Sequence, residues 1–92
     1  MLAHNSYFEG KVQSVGFERN GRKQTAGVID SGEFHFDTGA PERMTIVSGE
    51  LLVKLPGKEF RVYAAGTSFE VPGKSGFDLR AEQPVAYLCE FL

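Results

Sequence analysis

Histidine and cysteine are scarce in this chain: it has two of the first and one of the second. A lone Cys89 cannot close an intrachain disulfide. With no histidine beside it in sequence to generate a thiolate, it reads within PVAYLCEFL as a buried strand residue rather than a nucleophile. Two imidazoles give little support to a Ser or Cys triad; His4 is expected in a mobile start and His35 on a polar strand face. No 18-residue apolar run could cross a membrane, and no charged start followed by an apolar stretch marks a secretory signal. The expected compartment is therefore a reducing cytoplasm. Positive charge is short as well: 10 Lys and Arg against 12 Asp and Glu leave a net charge of −2. Neither nucleic acid nor an anionic membrane is an expected partner. No G-x4-G-K-[ST] loop is present, which excludes nucleoside triphosphate hydrolysis of the P-loop kind. Helical periodicity is also absent.

What remains is a chain of strands and turns. Ninety-two residues have interior enough for one apolar core, so residues 1–92 are expected to form a single domain. A 41% hydrophobic and 24% charged composition is that of a soluble globular protein able to offset chain ordering. Short runs rich in β-branched and aromatic residues alternate with turn signals, among them RNGR, TGAPE, LPGKE and PGKSG. Strands are predicted over Lys11–Glu18, Lys23–Asp30, Glu33–Thr38, Glu42–Ser48, Glu50–Leu55, Glu59–Ala64, Thr67–Val71, Gly76–Ala81 and Val85–Phe91. This makes about nine strands, at the spacing of a sandwich or barrel.

Alternation assigns faces, since successive strand side chains point to opposite sides. One interior set comprises Phe34, Phe36 and Thr38; Met44 and Ile46; Leu51, Val53 and Leu55; Phe60 and Val62; Phe69 and Val71; Phe77 and Leu79; and Val85, Tyr87, Cys89 and Phe91. Glu33, His35 and Asp37 take the polar side, and Arg43, Lys54, Arg61 and Arg80 also point outward by parity. Glu42 shares the apolar face. A carboxylate there must be hydrogen-bonded, paired or near water. It is either a strand-end residue at a wet rim or a functional acid facing into the mouth of the barrel.

Two fragments resemble a known fold family. ERMTIVSG fits the E-x6-G half of the first cupin motif, and GTSFEVP fits the G-x5-P opening of the second. The metal ligands of that pattern do not carry over: its His-x-His falls on Phe36-Asp37-Thr38 or His35-Phe36-Asp37, and its late histidine on Phe77. Over nearly the whole chain, YFEGKVQSVGF, GEFHFDTGAPERMTIVSGELLVKLPG, YAAGTSFEVPGKSGFDL and YLCEFL together resemble the small single-domain cupins of the pyrimidine/purine nucleoside phosphorylase family.

The resemblance implies an all-β jelly roll of the RmlC-like cupin type. It also implies an enzyme that uses inorganic phosphate as co-substrate to convert purine or pyrimidine nucleosides to free base and pentose 1-phosphate. No metal or other cofactor is expected, because nitrogen and carboxylate donors for a closed site cannot be gathered facing inward. On this reading Glu42 is the catalytic acid group, accepting ribose hydroxyls and favouring cationic character on the sugar. Thr38 could donate to substrate, or simply bond its own backbone. Stacking on Phe34, Phe36, Phe77 and Tyr87, with Met44 as an adaptable floor, suits a site that takes both base types; each also reads as core packing. Gly73, Lys74 and Ser75 could gather N–H groups and a charge around phosphate, or form an ordinary turn. A homodimer is expected from exposed strand edges, including the apolar C-terminal strand. The alternatives are a non-catalytic cupin binding a small sugar or nucleotide metabolite, and a metal-dependent enzyme in which His35, Asp37 and Glu42 converge.

Overall fold

The computed structural model describes residues 2–92. They form ten strands: β1 (Ala3–Tyr7), β2 (Val12–Arg19), β3 (Arg22–Ile29), β4 (Gly32–Asp37), β5 (Glu42–Ser48), β6 (Glu50–Lys54), β7 (Phe60–Ala64), β8 (Ser68–Val71), β9 (Gly76–Ala81) and β10 (Val85–Phe91). No helix is present among the described residues. All pairings are antiparallel. A six-stranded sheet runs β1-β2-β3-β10-β5-β8 and a four-stranded sheet β4-β9-β6-β7. The strands form where expected because apolar alternation gives each one a face to bury and glycine-bearing turns reverse the chain between them. Asn20 and Gly21, with φ of 55° and 72°, make the left-handed two-residue turn that an Asn-Gly hairpin needs.

The two sheets face one another across a core of Val12, Ile29, Ile46, Leu51, Val53, Leu79, Ala81 and Val85, each at most 3% exposed. Val12, Ile29 and Val85 stand side by side across β2, β3 and β10. These branched side chains fill that end of the sandwich.

Three expectations are corrected. The start of the chain is a strand: β1 pairs with β2 from Ala3 opposite Gly16 to Tyr7 opposite Val12, and His4 Nε2 lies 3.2 Å from Gln13 Oε1. It was missed because AHNSY carries no apolar alternation; β2 templates it through backbone bonds. On β7 the faces are reversed. Phe60 and Val62 are 39% and 54% exposed, while Arg61 lies opposite Val53 and Tyr63 opposite Leu51, which puts Arg61 and Tyr63 on the inner side. The register of the hairpin sets this: its turn, closed by Lys58 N–H donating to Leu55 O, aligns Tyr63 with the core, where its ring meets Phe69 at 4.7 Å. Phe60 instead lies under the Arg80 guanidinium at 5.0 Å. Finally, the C-terminal strand β10 is no edge, since β3 and β5 flank it. A run apolar on both faces belongs in the middle of a sheet, where both backbone edges are paired.

Candidate active site

The other end of the sandwich is open. A cavity of about 380 Å³ lies there, floored by the inner face of the six-stranded sheet. Three cross-strand rows make the floor: Ser14, Gly27 and Tyr87; Thr25, Cys89 and Met44; and Phe91 with Glu42. In the first two rows Ser14, Gly27, Thr25 and Cys89 are small, where the neighbouring row has the branched Val12, Ile29 and Val85. That difference in side-chain volume leaves space above the sheet. One wall is the edge strand β4 with Phe36, and the turn after β1 brings Phe8 to the same cavity.

Glu42 is the first residue of β5 and half-buried. The Cys89 thiol donates to Glu42 Oε1 at 3.3 Å. Burial pushes the Glu42 carboxyl above its ordinary value and the thiol's hydrogen bond pulls the other way. Cys89, 4% exposed, is itself raised above the thiol range, by burial first and then by the Glu42 charge. That state is the opposite of an activated nucleophile. Tyr87 is pushed up to about 12, chiefly by burial. It remains a neutral phenol. Ser14, Thr25, Glu42, Tyr87 and Cys89 on the floor, with His35 and Asp37 at the rim, thus give an aromatic-walled cavity two carboxylates and a few hydroxyls, a donor and acceptor set that suits a polyhydroxylated ring.

At the rim, His35 Nδ1 lies 2.8 Å from Asp78 Oδ1 and Nε2 3.0 Å from Asp37 Oδ1. The bond to Asp78 and then that to Asp37 raise its pKa above 6.5. Both ring nitrogens are therefore engaged. The cupin fold often holds a metal, but the donors here do not fit one: among the described residues no three His, Cys, Asp or Glu side chains group as ligands. His35 and Asp37 share the parity opposite to Phe36 on β4, whereas Glu42 faces inward against Cys89. Convergence of His35, Asp37 and Glu42 on one ion is not what the chain builds.

Of the residues singled out from the sequence, Glu42, Phe36, Met44 and Tyr87 line the cavity. Phe34 and Phe77 lie in the wall behind it, Phe77 edge-on to Phe36 at 5.6 Å. Thr38 is a structural tie: its hydroxyl donates to Pro72 O at 2.7 Å and accepts from Ser75 N–H at 3.0 Å. Lys74 N–H donates to Gly39 O at 3.0 Å. The backbone N–H groups of Lys74 and Ser75 are thus spent within the protein, and an anion nest at Gly73, Lys74 and Ser75 is not formed in this conformation. Sequence reading missed Ser14, Thr25 and Phe8. The hydroxyl residues share parity with Val12 and Ile29 and could have been found on that ground. Phe8 sits in a turn and carries no local signal.

The family model and the curated relatives agree on one family. A family model described as pyrimidine/purine nucleoside phosphorylase matches residues 2–91. A pyrimidine/purine nucleoside phosphorylase from Sorangium cellulosum is 72% identical, with 100% of each chain covered. Another so named, from Anaeromyxobacter sp., is 70% identical over 100% of this chain and 89% of its own. Among solved structures, a protein of unknown function from Vibrio parahaemolyticus is 46% identical with a TM-score of 0.97, covering 100% of this chain and 99% of that one. An RmlC-like cupin from Shewanella frigidimarina, 20% identical with a TM-score of 0.77 over 94% of this chain and 79% of its own, shares the fold.

Proposed function

The chain belongs to the pyrimidine/purine nucleoside phosphorylase family, and from that premise we propose that its open cup is where phosphate cleaves the N-glycosidic bond of purine and pyrimidine nucleosides. The C1′–N bond breaks with its electron pair going to the base. A phosphate oxygen forms the new bond to C1′, and the proton of phosphate ends on the base. The observation that supports this site is a half-buried carboxylate, Glu42, on the floor of an aromatic-walled cavity of about 380 Å³. Ionised, Glu42 accepts ribose hydroxyls and stabilises positive character as the base departs, in surroundings where water screens little. Phe36 and Tyr87 offer flat faces to either base type, and Met44 adapts beneath. No metal takes part in this proposal.

The phosphate contact we assign is the Lys74 ammonium. No Lys or Arg lines the cavity among the described residues. The Lys74 N–H, however, is tied to Gly39, which does line it, and a flexible stem carries a point charge suited to phosphate. Free base should appear from inosine and from uridine only when phosphate is added. Lys74→Ala should raise the KM for phosphate by roughly tenfold, in line with loss of a charged contact, while leaving the nucleoside KM near its starting value. Binding of ribosides without phosphate-dependent release would point to a non-catalytic receptor instead.

The enzyme is proposed to act in the cytoplasm as a homodimer. Supporting the dimer is the outer face of the six-stranded sheet, where Val15 and Val28 are 39% and 49% exposed next to Ala26, Ala86 and Leu88 in the ladder. Sedimentation at twice the chain mass, and recovery in the cytosolic fraction, are the expected results. A monomer at micromolar concentration would reject the assembly.

A further inference from the structure

The turn between β1 and β2 is held in an unfavourable conformation. Phe8 and Glu9 have φ of 53° and 57°, followed by Gly10 at 87°. Two consecutive non-glycine residues in the left-handed region are disfavoured, and such conformations persist where the surroundings over-determine them. Here Gly10 N–H donates to Tyr7 O and Lys11 N–H to Phe8 O, and the Gln13 amide donates to Gly10 O at 3.0 Å. The result is to lay the Phe8 ring over the edge strand β4. It meets Phe34 at 5.0 Å and lies parallel to Phe36, with centroids 6.0 Å apart and planes within 9°. Yet Phe8 remains 45% exposed, so core burial does not explain its placement.

The two parallel rings differ in how they are held. Phe36 is backed edge-on by Phe77, which in turn packs edge-on against Phe69. Phe8 rides on a hairpin at the sheet margin, where β1 pairs only with β2. A planar ring between two parallel ones needs about 7 Å, two carbon contacts of roughly 3.5 Å each, so the turn must swing outward to open such a slot. We infer that Phe8 is the movable wall of a base-stacking slot whose fixed wall is Phe36, closing over the nucleobase during phosphorolysis. This rests on the function proposed above and adds a residue to its binding machinery. A slot built of ring faces alone holds purines and pyrimidines without reading their edges.

Phe8→Ala and Phe8→Leu should each raise the KM for inosine and uridine roughly tenfold, the scale of one lost stacking contact, with the phosphate KM within about twofold of the starting protein. Phe8→Tyr should restore the nucleoside KM. Leucine preserves an apolar contact with Phe34, so a purely structural role would lower the melting temperature of Phe8→Ala and leave Phe8→Leu with normal kinetics. That outcome, or an unchanged nucleoside KM in Phe8→Ala, overturns the inference while the phosphorolysis of the unsubstituted protein stands. If the unsubstituted protein releases no base, the underlying function fails first, and equilibrium binding of inosine to the same variants decides the role of Phe8 separately.

Discussion

Glu42→Gln is expected to cut turnover by at least about tenfold, as removal of a positioned charge does, and at the same time to raise the melting temperature near neutral pH. The two effects share one cause. Burial disfavours the charged carboxylate in the folded protein and lifts its pKa above the ordinary 4.5; in the unfolded chain it titrates normally. A carboxyl shifted upward contributes nothing adverse while both states are protonated. Stability is then lost as pH rises from the unfolded value through the folded one, because the unfolded state gives up its proton first. Glutamine keeps the shape and an oxygen for the Cys89 thiol without the charge. Its thermal advantage should therefore be present at neutral pH and fade as pH falls through the raised value. Activity runs the other way: the ionised form stabilises the sugar, so kcat/KM of the unsubstituted enzyme should fall on acidification with an apparent pKa above 4.5. Thermal melts and pH–rate profiles of both proteins test the pair. Full turnover by Glu42→Gln would remove the carboxylate from the mechanism, and an unchanged melting temperature at neutral pH would show that the charge is well solvated.

Gly27→Ala is expected to lower stability by about 1–3 kcal/mol, the range for overfilling a packed site, which for a chain of this size is a fall in melting temperature of roughly 5–20 °C. Activity should be lost beyond what the fall in stability explains. A Cβ at Gly27 would come within 2.7 Å of the Gln13 carbonyl oxygen and of Cζ and Oη of Tyr87. Gln13 O is backbone of the neighbouring strand and cannot swing aside. Tyr87 is buried, 6% exposed, so the ring would be driven from the bare strand into the cavity it lines. Gly16→Ala is the internal control. It lies on the neighbouring strand β2 with its nearest contact at 3.7 Å, and there alanine should be tolerated. Equal effects from the two substitutions would mean that β-propensity, rather than the contact with Tyr87, is responsible.

These two positions were not equally legible. Glu42 stood out because a carboxylate in phase with Met44 and Ile46 breaks a local rule, and local rules can be checked along a single strand. Gly27 gave only a weak hint: a glycine inside a strand often marks a close approach, but nothing in KQTAGVI names the ring that approaches. That ring arrives from β10, sixty residues further along the chain. The same limit applies to the cavity itself. Small residues at Ser14, Thr25 and Gly27 leave an opening only because pairing of β2 and β3 sets them side by side.

The amino-acid order alone determined what depends on near neighbours. Alternation placed β5, β9 and β10 with their ends as found, Asn20-Gly21 made its hairpin, and Glu42 was turned to the apolar side. Tertiary structure alone decided the outward face of Phe60 and Val62, the pairing of β1, the spending of the Lys74 and Ser75 N–H groups on the loop after β4, and the seating of Phe8 on Phe36. Each of these is fixed by register or by contact between segments far apart in the chain, where a shift of one residue exchanges inside for outside and no local pattern records the choice.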